Sequence, residues 1–465
     1  MSSDRRAGSS RRSSRRSSRS KRATRTKTAV LKGKLNVPLV SVGLILFAFG
    51  LSVLFLLYPR SSSFEVFPPW SGRNASLIFD HHTHTRFSDG ALTPGELVSV
   101  AQSAGCDALV VSDHSNFSPD AIPEQLGVLK NLRETHPEML IFGGLELNMP
   151  SYAGREHAGL IADPSVDAET LLQLQSLAER KTPGSSSSAV RAVADSRLLD
   201  AITDYRSFRN GLLLIYNHPS REGEDIEENL GDIIRWNTEA PVVTAIEGAT
   251  GHHSAHAEGS DKKVPLNEDY WDPVVAEVGG VWDRLWSSGH QVWGALASSD
   301  YHGDDFGSAP CAFARTHLIV PEQSYRGVIS ALRKGTFWAD HGFILDQLSF
   351  SATLDGLDGP AFPGSVVRVG NKRSVANVAL LLQRGTGSVG QPLTVEIIAD
   401  CSSGDWVILN EQELAPADSS ITLPVSLAST GEDGISCSIR ARVRLKHKES
   451  ADYVAYTNPI RFILN

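Results

Sequence analysis

Cysteine is scarce in this chain, at four residues among 465. None has the spacing of a cysteine metal module, so zinc fingers and zinc ribbons are excluded. Cys401 and Cys437 stand at a spacing that could close a disulfide, whereas Cys106 and Cys311 read as buried thiols. Positive charge is missing from most of the chain as well. The formal net charge is −9, yet thirteen Lys or Arg fall between Arg5 and Lys34. The remainder is therefore acidic, which argues against a nucleic-acid partner. Charge of either sign is absent from Leu35 to Pro59.

That uncharged stretch organises the N-terminal region. The run before it, RRSSRRSSRSKR, is of low complexity and cannot bury a core. Residues 1–36 are thus expected to form a disordered basic tail. Leu39 to Tyr58, LVSVGLILFAFGLSVLFLLY, is twenty residues long. As a helix it would span about 30 Å, the thickness of a bilayer's hydrocarbon core. A cleaved signal peptide has an apolar stretch of only about 7–15 residues, so residues 37–58 read as a transmembrane helix, an uncleaved anchor. A transit peptide is the alternative for this arginine- and serine-rich, acid-poor start. The positive charges precede the span and only Arg60 directly follows it. The N-terminus is then cytoplasmic and the rest luminal or extracellular, as in a single-pass membrane protein. A Ser/Pro-rich stalk follows over residues 59–76. Two glycosylation sequons, Asn74-Ala75-Ser76 and Asn116-Phe117-Ser118, agree with that side.

Short apolar runs then recur: 75–80, 107–113, 139–147, 157–163, 211–218, 242–248 and 292–300. They read as buried parallel strands, mostly separated by helix-like stretches such as PGELVSVAQSAG and SYRGVISALRKG. Seven such strands alternating with helices predict an α/β barrel domain over residues 77–345. Residues 249–280 form a His-rich, strandless insertion, read as a loop over one face. Near residue 345 the pattern changes. SIRARVRLKH alternates strictly, with Ile439, Ala441, Val443 and Leu445 on one face and Arg440, Arg442, Arg444 and Lys446 on the other. Residues 346–465 are expected to form an antiparallel β-sandwich with one face in water and no cluster of catalytic residue types.

The chemistry lies where His and acid residues fall. DHHTHTRFSDG, residues 80–90, has alternate side chains sharing a face. Asp80, His82 and His84 then point one way, and His81 and Thr83 the other. His82 and His84 are the pair able to hold one ion, and a Ser88-Asp89-Gly90 turn can return Asp89 to them. Later strands carry Asp113-His114, Glu146, His157, Asn217-His218 and Asp300-Tyr301-His302. In parallel barrels the C-terminal strand ends form the active face. So many imidazoles and carboxylates on one rim require a compensating cation. Mixed His and carboxylate donors suit Zn, Mn or Fe better than Ca or Mg.

HTHTRFSDG, VVSDHSN, GLELN, NHP and SSDYHG, in that order, resemble the motifs of the PHP (polymerase and histidinol phosphatase) family of metallohydrolases. The likeness runs over about residues 77–345. The C-terminal part, ending in YTNPIRF, is similar to a branch that includes carbaryl hydrolase-like metallohydrolases. The resemblance implies a distorted (β/α)7 barrel holding two or three divalent ions. His82, His84, Glu146 and Asp300 would hold the first ion. Glu146 would bridge to a second, held by His157 and His218, and Asp89, His114 and His302 would hold a third. Asp80 and Asp113 would orient imidazoles from behind. His81 stands where the family usually has an aliphatic residue, and Asp89 where some members have His.

A metal-bridged hydroxide would attack phosphorus or a carbonyl carbon, with Asp300 or His302 managing the leaving group's proton. Arg221, and Arg155 after it, are candidates to grip a phosphate. Glu247 is placed behind the ligands, and His252, His253 and His256 near the entrance or on a solvated loop. Three functions follow. The first is a membrane-anchored phosphoesterase acting on a small or membrane-linked ester. The others are a carboxyl ester, amide or carbamate hydrolase, and a non-catalytic metal-containing binding protein.

Overall fold

The computed structural model describes residues 75–115, 121–149, 157–178, 196–203, 211–220, 226–240, 243–250, 270–304, 309–370, 373–401, 405–428, 436–447 and 451–464. The tail, the apolar run and nearly all of the stalk lie outside them. So do both sequon asparagines, Arg155, Arg221, His252, His253 and His256. Among the described residues no helix is long and apolar enough to cross a membrane.

The first half alternates strands and helices as the apolar runs dictate. β1 (Ala75–Asp80), α1 (Pro94–Ser103), β2 (Ala108–Val111), α2 (Ala121–Thr135) and β3 (Leu140–Leu147) follow in order. β1, β2 and β3 pair in parallel. The start of α1 is written in its sequence. Thr93 accepts from the Glu96 N–H, the Glu96 carboxylate accepts from the Thr93 N–H, and Pro94 opens the first turn. Leu97, Val98 and Ala101 face the sheet. β4 (His157–Ala162), α3 (Ala168–Ala178), β5 (Leu212–Asn217), α4 (Ile226–Glu239) and β6 (Val243–Ile246) continue the layer.

Here the parallel expectation fails. β4 is antiparallel to both β3 and β5. A parallel-type apolar run cannot reveal its direction, because burial on both faces removes the alternation that would mark it. The reversal matters. It brings the first residue of β4, His157, to the rim where β3 and β5 end, opposite Asn217. The expected seventh strand shrinks to β8 (Ala297–Ser298), paired with β7 (Ala249–Thr250). Short helices α5 (Pro273–Ala276) and α6 (Val281–Ser287) lie between these two strands.

Two strands then join antiparallel on the far side of β1, separated by α7 (Tyr325–Lys334). They are β9 (Ala314–Val320) and β10 (Phe337–His341). The named strands follow one hydrogen-bonded path, and among the described residues isolated parallel bridges, Ala245 to Trp293 and Thr83 to Tyr301, tie the 292–300 segment to β6 and to the residues after β1.

The strand-rich C-terminal region has two sheets around a shared core. One contains β11 (Leu345–Thr353), β13 (Arg373–Arg384) and β16 (Ser420–Ala428). The other contains β12 (Val366–Val369), β14 (Leu393–Asp400), β15 (Val407–Leu414), β17 (Ser436–Leu445), β18 (Tyr453–Thr457) and β19 (Ile460–Leu464). β12 and β19 are parallel, and the other pairs are antiparallel. β18 also pairs with β10, so this sheet is continuous with the first half.

The arginine face of β17 is not in water as its alternation suggested. Arg440 is fully buried, with Nε and Nη2 each donating to Asp283 of α6 at 2.9 Å. Arg442 is buried against Glu396. Alternation identified the two faces correctly, but a buried arginine is tolerated where a carboxylate pairs with it. One cysteine pair departs from expectation, while the other agrees with its spacing. Cys106 and Cys311 are not thiols but a disulfide, and Cys401 bridges Cys437. With Cys106 and Cys311 separated by 205 positions, the sequence held no sign of that pairing.

Candidate metal centre

The strand ends converge on one carboxylate, Glu146. It sits one residue before the end of β3 and is almost completely buried. Its N–H donates to the carbonyls of Ser112 and Asp113, and its carbonyl accepts from the Ser115 N–H. Five imidazoles surround its side chain. His82 Nε2 lies 3.0 Å from Oε1, His157 Nδ1 2.9 Å and His218 Nε2 3.0 Å. His114 Nδ1 lies 2.9 Å from Oε2, and His84 Nε2 3.4 Å. Asp300 Oδ1 completes the inner group at 3.1 Å from both His82 Nε2 and His84 Nε2.

Asp89 serves the outer edge. The Thr85–Gly90 turn returns it to the site, with the Gly90 N–H donating to the Thr85 carbonyl. A Cβ at Gly90 would come within 2.4 Å of the His84 backbone, so only glycine fits. Asp89 then lies 3.5 Å from His84 Nδ1, 3.3 Å from His114 Nε2 and 3.4 Å from His302 Nε2. His302 is oriented by its Nδ1, 2.9 Å from the Asp300 carbonyl.

All nine residues expected as ligands are thus brought together. Two are held in left-handed backbone, His218 at φ 26° and Asp300 at φ 47°. Non-glycine residues adopt that region at a cost, and such strain gathers at functional sites.

The groups behind the ligands are arranged differently from expectation. Asp80 accepts the N–H groups of His82 and Ser299, and Asp113 accepts the N–H and hydroxyl of Thr85. Both brace backbone. The carboxylate that backs an imidazole is Glu247, just beyond β6, with Oε1 2.9 Å from His82 Nδ1. Its Oε2 accepts the His218 N–H at 2.8 Å. His81 does not point away from the site either. The strand ends at Asp80, so alternation no longer applies, and His81 Nε2 lies 3.5 Å from the same Glu247 oxygen. Asn217 was missed as a site residue. Its Nδ2 is 3.3 Å from Glu146 Oε1, and its place beside His218 at a strand end was the available signal.

The electrostatics are those of a mixed cluster. Burial would raise the Glu146 carboxyl, but His157, His82 and His114 hold it well below the usual range. Burial disfavours a charged His114, yet Glu146 and Asp89 push it up to about 10. Against the same penalty, Asp300, Glu146 and Glu247 raise His82 well above its ordinary value. Burial pushes the Asp80 carboxyl up to about 6 and His84 down to about 4.

The donor set fits divalent ions. His82, His84 and Glu146 offer atoms within 4.8 Å of one another, as do His82, His218 and Asp300, and His114, Glu146 and His157. His84, Asp89, His114 and His302 form a further such group. His84 Nδ1 is buried without a hydrogen-bond partner, a cost that coordination would remove. The PHP domain profile matches residues 80–223.

Residues 80–223 are a PHP domain. This PHP domain holds seven of the nine candidate ligands: His82, His84, Asp89, His114, Glu146, His157 and His218. Asp300 and His302 come from beyond it. An uncharacterized protein of Methanocaldococcus jannaschii, MJ1295, is 37% identical over 73 residues, 15% of this chain and 34% of that protein. The chain thus spans about a third of the length of the curated relative it matches.

A two-domain Bacteroides vulgatus protein containing a predicted PHP-like metal-dependent phosphoesterase is 13% identical, with a TM-score of 0.38 over 79% of this chain and 90% of that one. An amidohydrolase from Chromobacterium violaceum is 16% identical, with a TM-score of 0.27 over 50% and 90%. Likeness at that level carries no argument about chemistry.

Proposed function

We propose that this chain is a metal-dependent hydrolase of phosphate esters, tethered to a membrane by one N-terminal span. The observation that carries the reading is the single buried carboxylate, Glu146, with five imidazole nitrogens within 3.4 Å. A structural salt bridge needs one such partner, not five. His82, His84, Glu146 and Asp300 would hold one ion, and Glu146 would share a second with His157 and His218. Asp89, His114 and His302 would hold a third. Zn, Mn or Fe fits these donors. Such ions would supply hydroxide near neutral pH and a positive field for the developing oxyanion.

The protein's own groups do the rest. Glu247 fixes the His82 ring, so that Nε2 faces the cluster. The Asp300 carbonyl fixes His302, whose Nε2 faces the outer edge beside Asp89. Asp300 and His302 are the groups proposed to pass a proton to the leaving alkoxide. Arg221 is proposed to grip the phosphate from the segment after His218. The anchor rests on the uncharged run Leu35–Pro59 and the thirteen basic residues before it. It leaves the catalytic part luminal or extracellular.

A hydrolysis panel tests this reading. The chain from Ser61 onward, loaded with Mn or Zn, is offered phosphate monoesters, diesters, carboxyl esters and carbamates, with His84→Ala as the blank. Phosphate ester cleavage lost in the blank is the expected result. Cleavage of carboxyl esters or carbamates alone would move the protein to that class. Silence across the panel with metal bound would point to a binding role.

A further inference from the structure

We infer that Asn217 is an additional oxygen ligand of this centre, its amide turned so that Oδ1 faces the ion. The inference rests on the metal reading above and deepens it. Asn217 is the last residue of β5, fully buried, and paired across the ladder with His157. Its amide stands over Gly159 of β4, where a Cβ would come within 2.9 Å of Oδ1. The missing side chain at Gly159 is what leaves room for the amide.

The position of the amide suits a ligand. Nδ2 lies 3.3 Å from Glu146 Oε1 and 3.5 Å from His82 Nε2. Donor atoms bound to one ion at about 2.1 Å stand roughly 3.0–3.4 Å apart. The outer atom of Asn217 is thus at ligand distance from two candidate ligands.

Its chemistry is wrong only in orientation. An N–H facing the donors of a cation would be repelled by that cation, whereas a carbonyl oxygen would be drawn to it. Meanwhile Oδ1 is buried with no hydrogen-bond partner. Amide oxygen and nitrogen are nearly the same size and are assigned from their neighbours. A half-turn about the last bond places the oxygen toward His82 and Glu146 and the NH2 beside Gly159. Asn217 then adds a neutral donor without altering the charge of the site.

The test uses the full-length chain in detergent, stripped of metal and titrated with Co(II). Visible absorption reports coordination, chelator competition reports affinity, and melting of the metal-free form reports folding. Asn217→Leu should weaken one cobalt equivalent by about tenfold or more and change its absorption band, with metal-free melting unchanged. Asn217→Asp keeps an oxygen, and should retain that equivalent at least as tightly as the parent. Wild-type affinity and spectrum in Asn217→Leu would overturn the inference. So would Asn217→Asp losing the equivalent as Leu does. A parent chain that takes up no cobalt would remove the metal centre itself, which is a different failure.

Discussion

At the scale of single residues, the centre is governed by which imidazoles are neutral. Metal ligands must be deprotonated. In the metal-free protein, His114 is pushed up to about 10 and His82 is raised well above its ordinary value. At pH 7 His114 carries a proton that a divalent ion must displace, and the upward shift of His82 acts in the same direction. Metal affinity should therefore rise from pH 6 to pH 9, with proton release on binding. Calorimetry in two buffers of different ionisation enthalpy measures this, and heats independent of buffer would contradict it. Glu247 acts through His82 rather than on the ion. Glu247→Ala should weaken metal binding about 10- to 100-fold, read by chelator competition. Most ligands were legible because His and acid residues recur at strand ends. The sequence placed Glu247 behind the ligands, but that it backs His82 in particular came only from its 2.9 Å contact, 165 positions away.

At the scale of elements, pairs of charges join pieces that the sequence keeps apart. Arg440 on β17 and Asp283 on α6 are both buried and bonded at two points. Asp283→Ala would strand a buried guanidinium, costing about 3–5 kcal/mol. Replacing both residues with apolar ones should cost much less. Urea unfolding of the two single variants and the double variant measures the difference, and additive losses would refute the coupling. The β9–β10 pair has its own cluster. Asp340 accepts from Arg315 at 3.0 and 2.7 Å and lies 2.9 Å from His317. Burial would raise its carboxyl, but His317 and Arg315 lower it below the usual value of 3.8. A depressed carboxyl contributes stability that is present above its unfolded pKa. That contribution is lost as pH falls through the folded value. Asp340→Asn should thus lower the melting temperature at pH 7 more than at pH 3.

At the scale of the whole molecule, the two halves share backbone and core. β10 pairs with β18, Asn458 donates to the carbonyls of Gly335 and Phe337, and Trp271 donates to the Val454 carbonyl. A chain cut after residue 345 would leave the edge of β10 bare and these donors and acceptors unmet. It should be insoluble or molten, as read by circular dichroism and gel filtration of refolded protein. The composition shift near residue 345 marks a change of architecture without a gap in the sheet. The Cys106–Cys311 bridge ties the end of α1 to the loop before β9, and the Cys311 N–H donates to Asp80 beneath His82.

The sequence by itself determined the alternation of buried strands and helices, the strand-rich second half and the residue types at each strand end. Those follow from local periodicity and from the cost of burying imidazoles and carboxylates without a purpose. Tertiary structure alone decided the reversed direction of β4, the added strands β9 and β10, and the Cys106–Cys311 bridge. It also decided that the arginines of β17 face a carboxylate rather than water. Each of these depends on what lies across a sheet or against a face, and a residue's own neighbours in the chain do not carry that information.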